Sequence, residues 1–341
     1  MMEQAKRNSK ITNMRALAIL LVVLGHSIIL YDPQWGLYRS VNVCSVLEII
    51  KHFINVIQMP LFFSISGYCF VFSASKLSSM SGGKFILEKA KRLLIPYCVI
   101  ALLWMIPLRL VSHYSPWEGL SVIQILGKVF SGVDNGHLWY LGALFEMFLL
   151  SLIVEKVILA KNKGVAVMLV ILVFALGLAV VSIKIPADYL FIKNFTKNYY
   201  WFFVGTLINR WKVEERVNKI AAWILMGVSA AGVCVLVLCS GSLHWVISAL
   251  AQYPVVTVLL VAAYVLFPKG DNALVSAYSK NSYGVYLFHS PLIYPVFCYC
   301  ADMSPVIVVC LTFVVMHLIA FVLTSLLRKF GAGRLVIGER M

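Results

Sequence analysis

The sequence predicts an all-α, polytopic integral membrane protein of about ten transmembrane helices with both termini in the cytosol. Three observations carry this. Hydrophobic residues make up 61% of the 341 and charged ones only 13%, with a mean hydropathy of +0.90, whereas a soluble domain carries roughly a quarter charged residues. Ten apolar runs approach the length of about 20 residues that a helix needs to cross a hydrocarbon core. The lysines and arginines gather between alternate runs, which is how charge records orientation.

The first run, 14–31, follows a basic start, but it is longer than a signal-peptide core, contains Arg15 and His26, and no small-residue cleavage site follows it, so it is expected to remain as a helix. The second, 52–73, carries Gln58-Met59-Pro60-Leu61-Phe62-Phe63-Ser64-Ile65-Ser66-Gly67-Tyr68, where small residues let helices approach closely. The third, 93–112, opens on Lys89-Ala90-Lys91-Arg92-Leu93-Leu94-Ile95-Pro96. The fourth, 138–157, opens on His137-Leu138-Trp139-Tyr140-Leu141 and contains Glu146. Runs at 164–183, a short one at 196–209, 219–240 and 243–267 follow, then 283–300, interrupted by Pro291 and Pro295, and finally 304–327. No stretch between runs is long enough for an appended soluble domain, and no internal repeat of 20–50 residues is visible, so 1–341 is expected to form one transmembrane unit.

With the N-terminus in the cytosol, 22 of the 29 basic residues fall on inner segments and seven, Arg39, Lys51, Arg109, Lys128, Lys184, Lys193 and Lys197, on outer ones. Less the acidic residues, the inner face carries +15 and the outer +1. The excess is thus a topology signal, part of which could attract an anionic cytosolic ligand. It gives no reason to expect nucleic acid. The eight cysteines form no CxxC pair and have no histidine at metal spacing, so they read as small core or lipid-facing residues, and no metal is expected.

Ionisable groups inside a membrane default to function. Arg15 and His26 are eleven residues apart, which is about three helical turns, so both project from one face about 16 Å apart along the axis. Arg15 can fork onto phosphate or carboxylate. A neutral imidazole at His26 can accept a proton, as a general base must. Lys89 and Arg92, at i and i+3, share a helix face, fitted either to phosphate or to lipid headgroups. Ser66 could be packing, His137 and Trp139 could belong to an interfacial belt, and His289 could be a helix–helix bond, a cavity lining or the base itself.

In this order, the segments around Arg15/His26, Pro60–Gly67, Lys89/Arg92, His137–Leu141 and Ser282–His289 resemble the membrane-bound acyltransferase family 3. The family often has Arg where Lys89 stands, and a Trp-Ser-Leu-x-x-Glu element that here keeps only a displaced Glu146. The resemblance implies transfer of an acyl group, usually acetyl from acetyl-CoA, to a hydroxyl of a carbohydrate of the envelope or of an exported polysaccharide, in a bacterial-type plasma membrane. It implies His26 and Arg15 as catalytic, Arg15, Lys89 and Arg92 as binding the acyl-CoA donor, and Ser66, His137, Trp139, Tyr286 and His289 as lining the acceptor's path. A secondary transporter or a membrane component of an envelope-assembly machine would also fit ten helices with few buried polar groups, though such transporters often carry an internal repeat.

Overall fold

The computed structural model describes residues 9–38, 40, 42–75, 81–155, 163–182, 188–239, 245–268 and 272–339. Of the charges counted for orientation, Glu3, Lys6, Arg7, Arg39, Lys76, Lys156, Lys161, Lys184, Lys269, Asp271 and Arg340 lie outside the described residues.

The described residues form helices and no strand. In chain order those of six residues or more are α1 (Ser9–Ile28), α2 (Ser45–Ala74), α3 (Gly82–Val111), α4 (Val122–Phe130), α5 (Trp139–Val154), α6 (Lys163–Ser182), α7 (Ile192–Arg210), α8 (Lys219–Leu238), α9 (Trp245–Leu266), α10 (Ala273–His289), α11 (Ile293–Cys300), α12 (Pro305–Leu327) and α13 (Gly331–Val336). Seven of them, α1, α2, α3, α5, α8, α9 and α12, are long and apolar enough to cross a membrane. The other three expected spans are built differently. α6 has a shorter apolar stretch, Val167–Val180. α7 is more polar, yet every residue from Asn198 to Ile208 is buried, so other helices sheathe it and it needs no apolar surface toward lipid. The run at 283–300 is two helices, α10 and α11, joined by a 3-10 turn at Ser290–Leu292.

Several boundaries move, among them the start of α10, at Ala273 rather than 283. α2 starts at Ser45 and α3 at Gly82, two or more turns before the expected 52 and 93. Ser81 caps α3 by accepting from the Lys84 amide at 3.3 Å. Lys51, counted as an outer-segment charge, therefore lies inside α2, 4% exposed, and Arg109, counted likewise though within the expected third span, is 2% exposed inside α3. They are buried groups with structural or chemical work, and they drop out of the orientation count.

α1 packs on α2, α10 and α12, and α3 packs on α5. α2 and α7 cross with backbones in contact, because a Cβ on Gly67 would overlap the Phe202 carbonyl and one on Gly205 would overlap the Ser64 carbonyl. Thr206 and Asn209 then reach across α2 to the carbonyls of Gly67 at 3.2 Å and Tyr68 at 2.9 Å. Gly67 and Ser64 are thus packing residues, as small residues in spans usually are.

Three prolines set the interior geometry. A proline within a helix has no N–H for the carbonyl four residues earlier, and in a membrane that oxygen must find another donor. Pro60 releases the Val56 carbonyl, which accepts from Gln252 Nε2 at 3.3 Å. Pro96 releases the Arg92 carbonyl, which accepts from the Tyr283 hydroxyl at 2.9 Å. Pro291 releases the Leu287 carbonyl, which accepts from His137 Nε2 at 3.0 Å. Each break ties a side chain of a distant helix to a defined point.

In the last turn of α3, Arg109 is the hub of a cap. It pairs with Asp134 at 2.8 Å, donates to the Tyr294 hydroxyl at 2.7 Å, and lies 4.3 Å over the Tyr114 ring. Asp134 also accepts from Trp117 Nε1 at 2.7 Å. Gly136 follows with φ +55° and so little room that an added Cβ would meet Arg109 Nη2 at 2.8 Å. This knot aims the next residue, His137, into the bundle.

Candidate active site

Two cavities lie end to end along one stripe of helix faces. The first, about 380 Å³, is lined by Arg15 of α1, Ser66 of α2, Lys89 and Arg92 of α3, Tyr140 of α5 and Tyr286 of α10 among others. The second, about 200 Å³, is lined by His26 and Val22 of α1, Lys51 and Gln58 of α2, and His137 and Trp139 beside α5. Phe62, Tyr140 and Tyr286 border both. The rings of Tyr140 and Tyr286 are 5.3 Å apart and those of Phe62 and Tyr140 5.6 Å. One aromatic wall separates the chambers.

The helical period explains the arrangement. On α1, Arg15 and Ala18 face the first chamber and Val22 and His26 the second, so the eleven-residue spacing does place the cation and the imidazole on one face. On α2, Phe62, Ser66, Cys69 and Ser73 recur at i, i+4, i+7 and i+11 along the first chamber. Ile337, Gly338 and Glu339, beyond α13, also line it. The described chain therefore begins and ends on the same side of the bundle.

The first chamber is cationic. Arg15 has no carboxylate partner among the described residues, and its Nη2 meets only the Cys69 sulfur at 3.7 Å. Lys89 Nζ donates to Ser73 Oγ at 3.4 Å and lies 4.2 Å over the Phe148 ring. Arg92 stands 5.9 Å over the Tyr283 ring. Lys280 lines the chamber too, and the carboxylate there, Glu339, is engaged by Arg328 at 2.6 Å. An uncompensated guanidinium in a partly desolvated chamber suits a polyanion such as the phosphates of an acyl-CoA.

The second chamber is lined by His26 and His137, with His289 behind them, and their hydrogen bonds fix their tautomers. His26 Nδ1 is 2.8 Å from the Val22 carbonyl oxygen. A carbonyl only accepts, so Nδ1 carries the hydrogen and Nε2 keeps its lone pair. His289 Nδ1 likewise donates to the carbonyls of Tyr286 at 2.7 Å and Val285 at 3.0 Å. Its Nε2 is left to accept, and it lies 3.4 Å from His26 Nδ1, the rings edge to face at 4.9 Å. His289 is wholly buried and borders neither cavity. Its lone pair is turned onto His26, so it can steady that ring but cannot reach a ligand in either chamber. His137 donates to Leu287 as described, and the Tyr286 hydroxyl donates to the His137 carbonyl, locking α10 to the start of α5. Ser66 Oγ and the Tyr140 hydroxyl share a hydrogen bond of 2.9 Å.

Nine of the ten expected contacts, counting Arg15 once in each role, thus fall on the two chambers: Arg15, Lys89, Arg92, Ser66 and Tyr286 on the first, and His26, His137, Trp139 and again Tyr286 on the second. His289 stands behind them. Glu146 borders neither, and its Oε2 is buried without a hydrogen-bond partner among the described residues. The bundle also brings in Lys51, which the sequence placed just before the second span, Gln58, which it placed inside that span without a role, and Phe62 and Tyr140 as part of the shared wall. Setting the start of α2 at Ser45 would have exposed Lys51 as an ionisable residue inside a membrane helix.

A family model described as an acyltransferase domain matches residues 8–325. The chain belongs to acyltransferase family 3. It is accordingly an acyltransferase built into a membrane, and the two chambers are its candidate active site. No curated protein and no solved structure matches the chain.

Proposed function

We propose that this acyltransferase moves an acyl group, in the simplest case acetyl, from acyl-CoA in the cytosol to a hydroxyl of a carbohydrate of the cell envelope or of an exported polysaccharide, in a bacterial-type plasma membrane. The observation that carries the reading is the shared wall of Phe62, Tyr140 and Tyr286 between a cationic chamber and a chamber holding an imidazole with a free lone pair. Ten crossings, with α6, α7 and the α10–α11 pair counted, put both ends of the chain on one side. The excess of basic residues puts that side in the cytosol.

In this reading Arg15, Lys89 and Arg92 hold the phosphates of the donor, and its thioester lies toward the aromatic wall. His26 Nε2 takes the proton as the acceptor oxygen bonds to the thioester carbonyl carbon. Collapse of the tetrahedral adduct breaks the carbon–sulfur bond, and the leaving thiolate recovers the proton from the imidazolium. A sugar hydroxyl is a poor nucleophile at neutral pH, which is why a base placed in hydrogen-bond range is the group this reaction needs.

The test is purified protein with radiolabelled acetyl-CoA and envelope polysaccharide. Release of CoA thiol with label on the polysaccharide is expected. A folded protein that does neither would contradict the proposal.

A further inference from the structure

Lys51 and Gln58 are polar groups of the second chamber that the transfer step leaves unused. The Lys51 side chain is 4% exposed, lines the chamber, and makes no hydrogen bond or ion pair with any described residue. Its charge acts through space on His26, and Asp32 acts on it from beyond ion-pair distance. On the same helix and the same chamber, Gln58 donates through Nε2 to Asn55 at 3.1 Å, which leaves Oε1 buried and without a partner. Both groups crowd the bare backbone of Gly25, next to His26. A Cβ there would meet Gln58 Oε1 at 2.9 Å and Lys51 Nζ at 3.4 Å.

A buried ammonium with no carboxylate at ion-pair distance is costly, and a bound anion in the chamber would offset that cost. The donor does not supply it here, because the donor's phosphates are drawn to Arg15 at the other end of α1 and only the aromatic wall joins the two chambers. What is left is the acceptor.

We propose that Lys51 and Gln58 form an acceptor subsite that selects an anionic sugar, with Lys51 pairing to a carboxylate or phosphate oxygen and Gln58 Oε1 accepting from a sugar hydroxyl. This rests on the assignment of the His26 chamber to the acceptor. The ammonium supplies the charge, the amide oxygen fixes the ring's orientation, and Trp139 offers an apolar face for the ring to lie on. The subsite holds the reactive hydroxyl near His26 Nε2 only when the anion is seated, so it sets specificity.

The experiment uses the full chain in lipid nanodiscs and three probes: methyl β-D-glucuronide, methyl β-D-glucoside and glucose 1-phosphate. Binding is read by ligand-induced shifts in Tm and by competition against transfer to polysaccharide. The wild type is expected to bind at least one charged probe about tenfold or more tighter than the glucoside. The preferred probe tells a carboxylate from a phosphate. Lys51→Gln should bring the charged probe down to the level of the glucoside, and Lys51→Arg should retain much of the preference. Wild-type protein that ranks all three probes alike, or binds none, overturns the subsite, as does a preference that survives in a well-folded Lys51→Gln variant. Thioester hydrolysis by the wild type without any sugar is measured alongside. Loss of that reaction would count against the donor reading, whereas hydrolysis without charge discrimination counts against the subsite alone.

Discussion

His26 lines the second chamber and is held by a single strong bond from Nδ1 to Val22 and a longer one toward His289, both of which leave Nε2 with its lone pair. That tautomer suits the general-base role proposed for it. His26→Ala is expected to lower kcat by about 10²–10⁴-fold with little change in KM for acetyl-CoA, because the imidazole acts in the transition state. His289→Ala should cost less, since it removes only the prop behind the ring. A larger loss in His289→Ala than in His26→Ala, in steady-state kinetics of folded protein, would move the base to α10. Arg15 has a different signature. Arg15→Ala should raise KM for acetyl-CoA about tenfold or more, and Arg15→Lys should recover part of it, because one ammonium replaces a two-pronged fork. Isothermal titration with CoA checks the same point without turnover. Both residues were legible in the sequence, since a charged residue and a histidine inside one apolar run, three turns apart, can only share a face. Lys51 and Gln58 were not, because their meaning depends on where α2 begins and on which residue of α1 lies opposite.

Among the elements, the broken helix α10–α11 shows how backbone chemistry reaches the site. Pro291 leaves the Leu287 carbonyl without its helical donor, and His137 fills the place. Pro291→Ala restores an N–H that can compete for that oxygen, so the variant is expected to keep or raise its Tm while losing transfer activity as His137 loosens. Unchanged activity in a variant of normal Tm would show that the His137 bond does not matter to the reaction. The prolines themselves were visible in the sequence, but not their partners, since a freed carbonyl says nothing about which distant helix will supply the donor. α7 was short and uncertain in the sequence for a related reason. Hydropathy measures contact with lipid, and a helix buried on every side, as Asn198–Ile208 is, need not be apolar. The spans that face lipid, such as α8 and α12, were read closely from their runs.

At the scale of the whole molecule, the two chambers meet at one aromatic wall, the first of them is cationic, and residues of α1 and the residues after α13 both line that first chamber. A cysteine placed at exposed Glu118, in a background with the eight native cysteines changed to serine, should react with an impermeant maleimide on intact cells. One at exposed Lys329 should react only after permeabilisation. The reverse pattern would invert the bundle. The most direct measurement uses sealed vesicles of known orientation, with radiolabelled acetyl-CoA confined to one side and carbohydrate acceptor to the other. If the acyl group passes from the Arg15 chamber to the His26 chamber, label appears on the acceptor only when acetyl-CoA is on the Lys329 side and the acceptor on the Glu118 side. Efficient labelling with donor and acceptor confined to the same side of a sealed membrane would contradict transfer through the bundle.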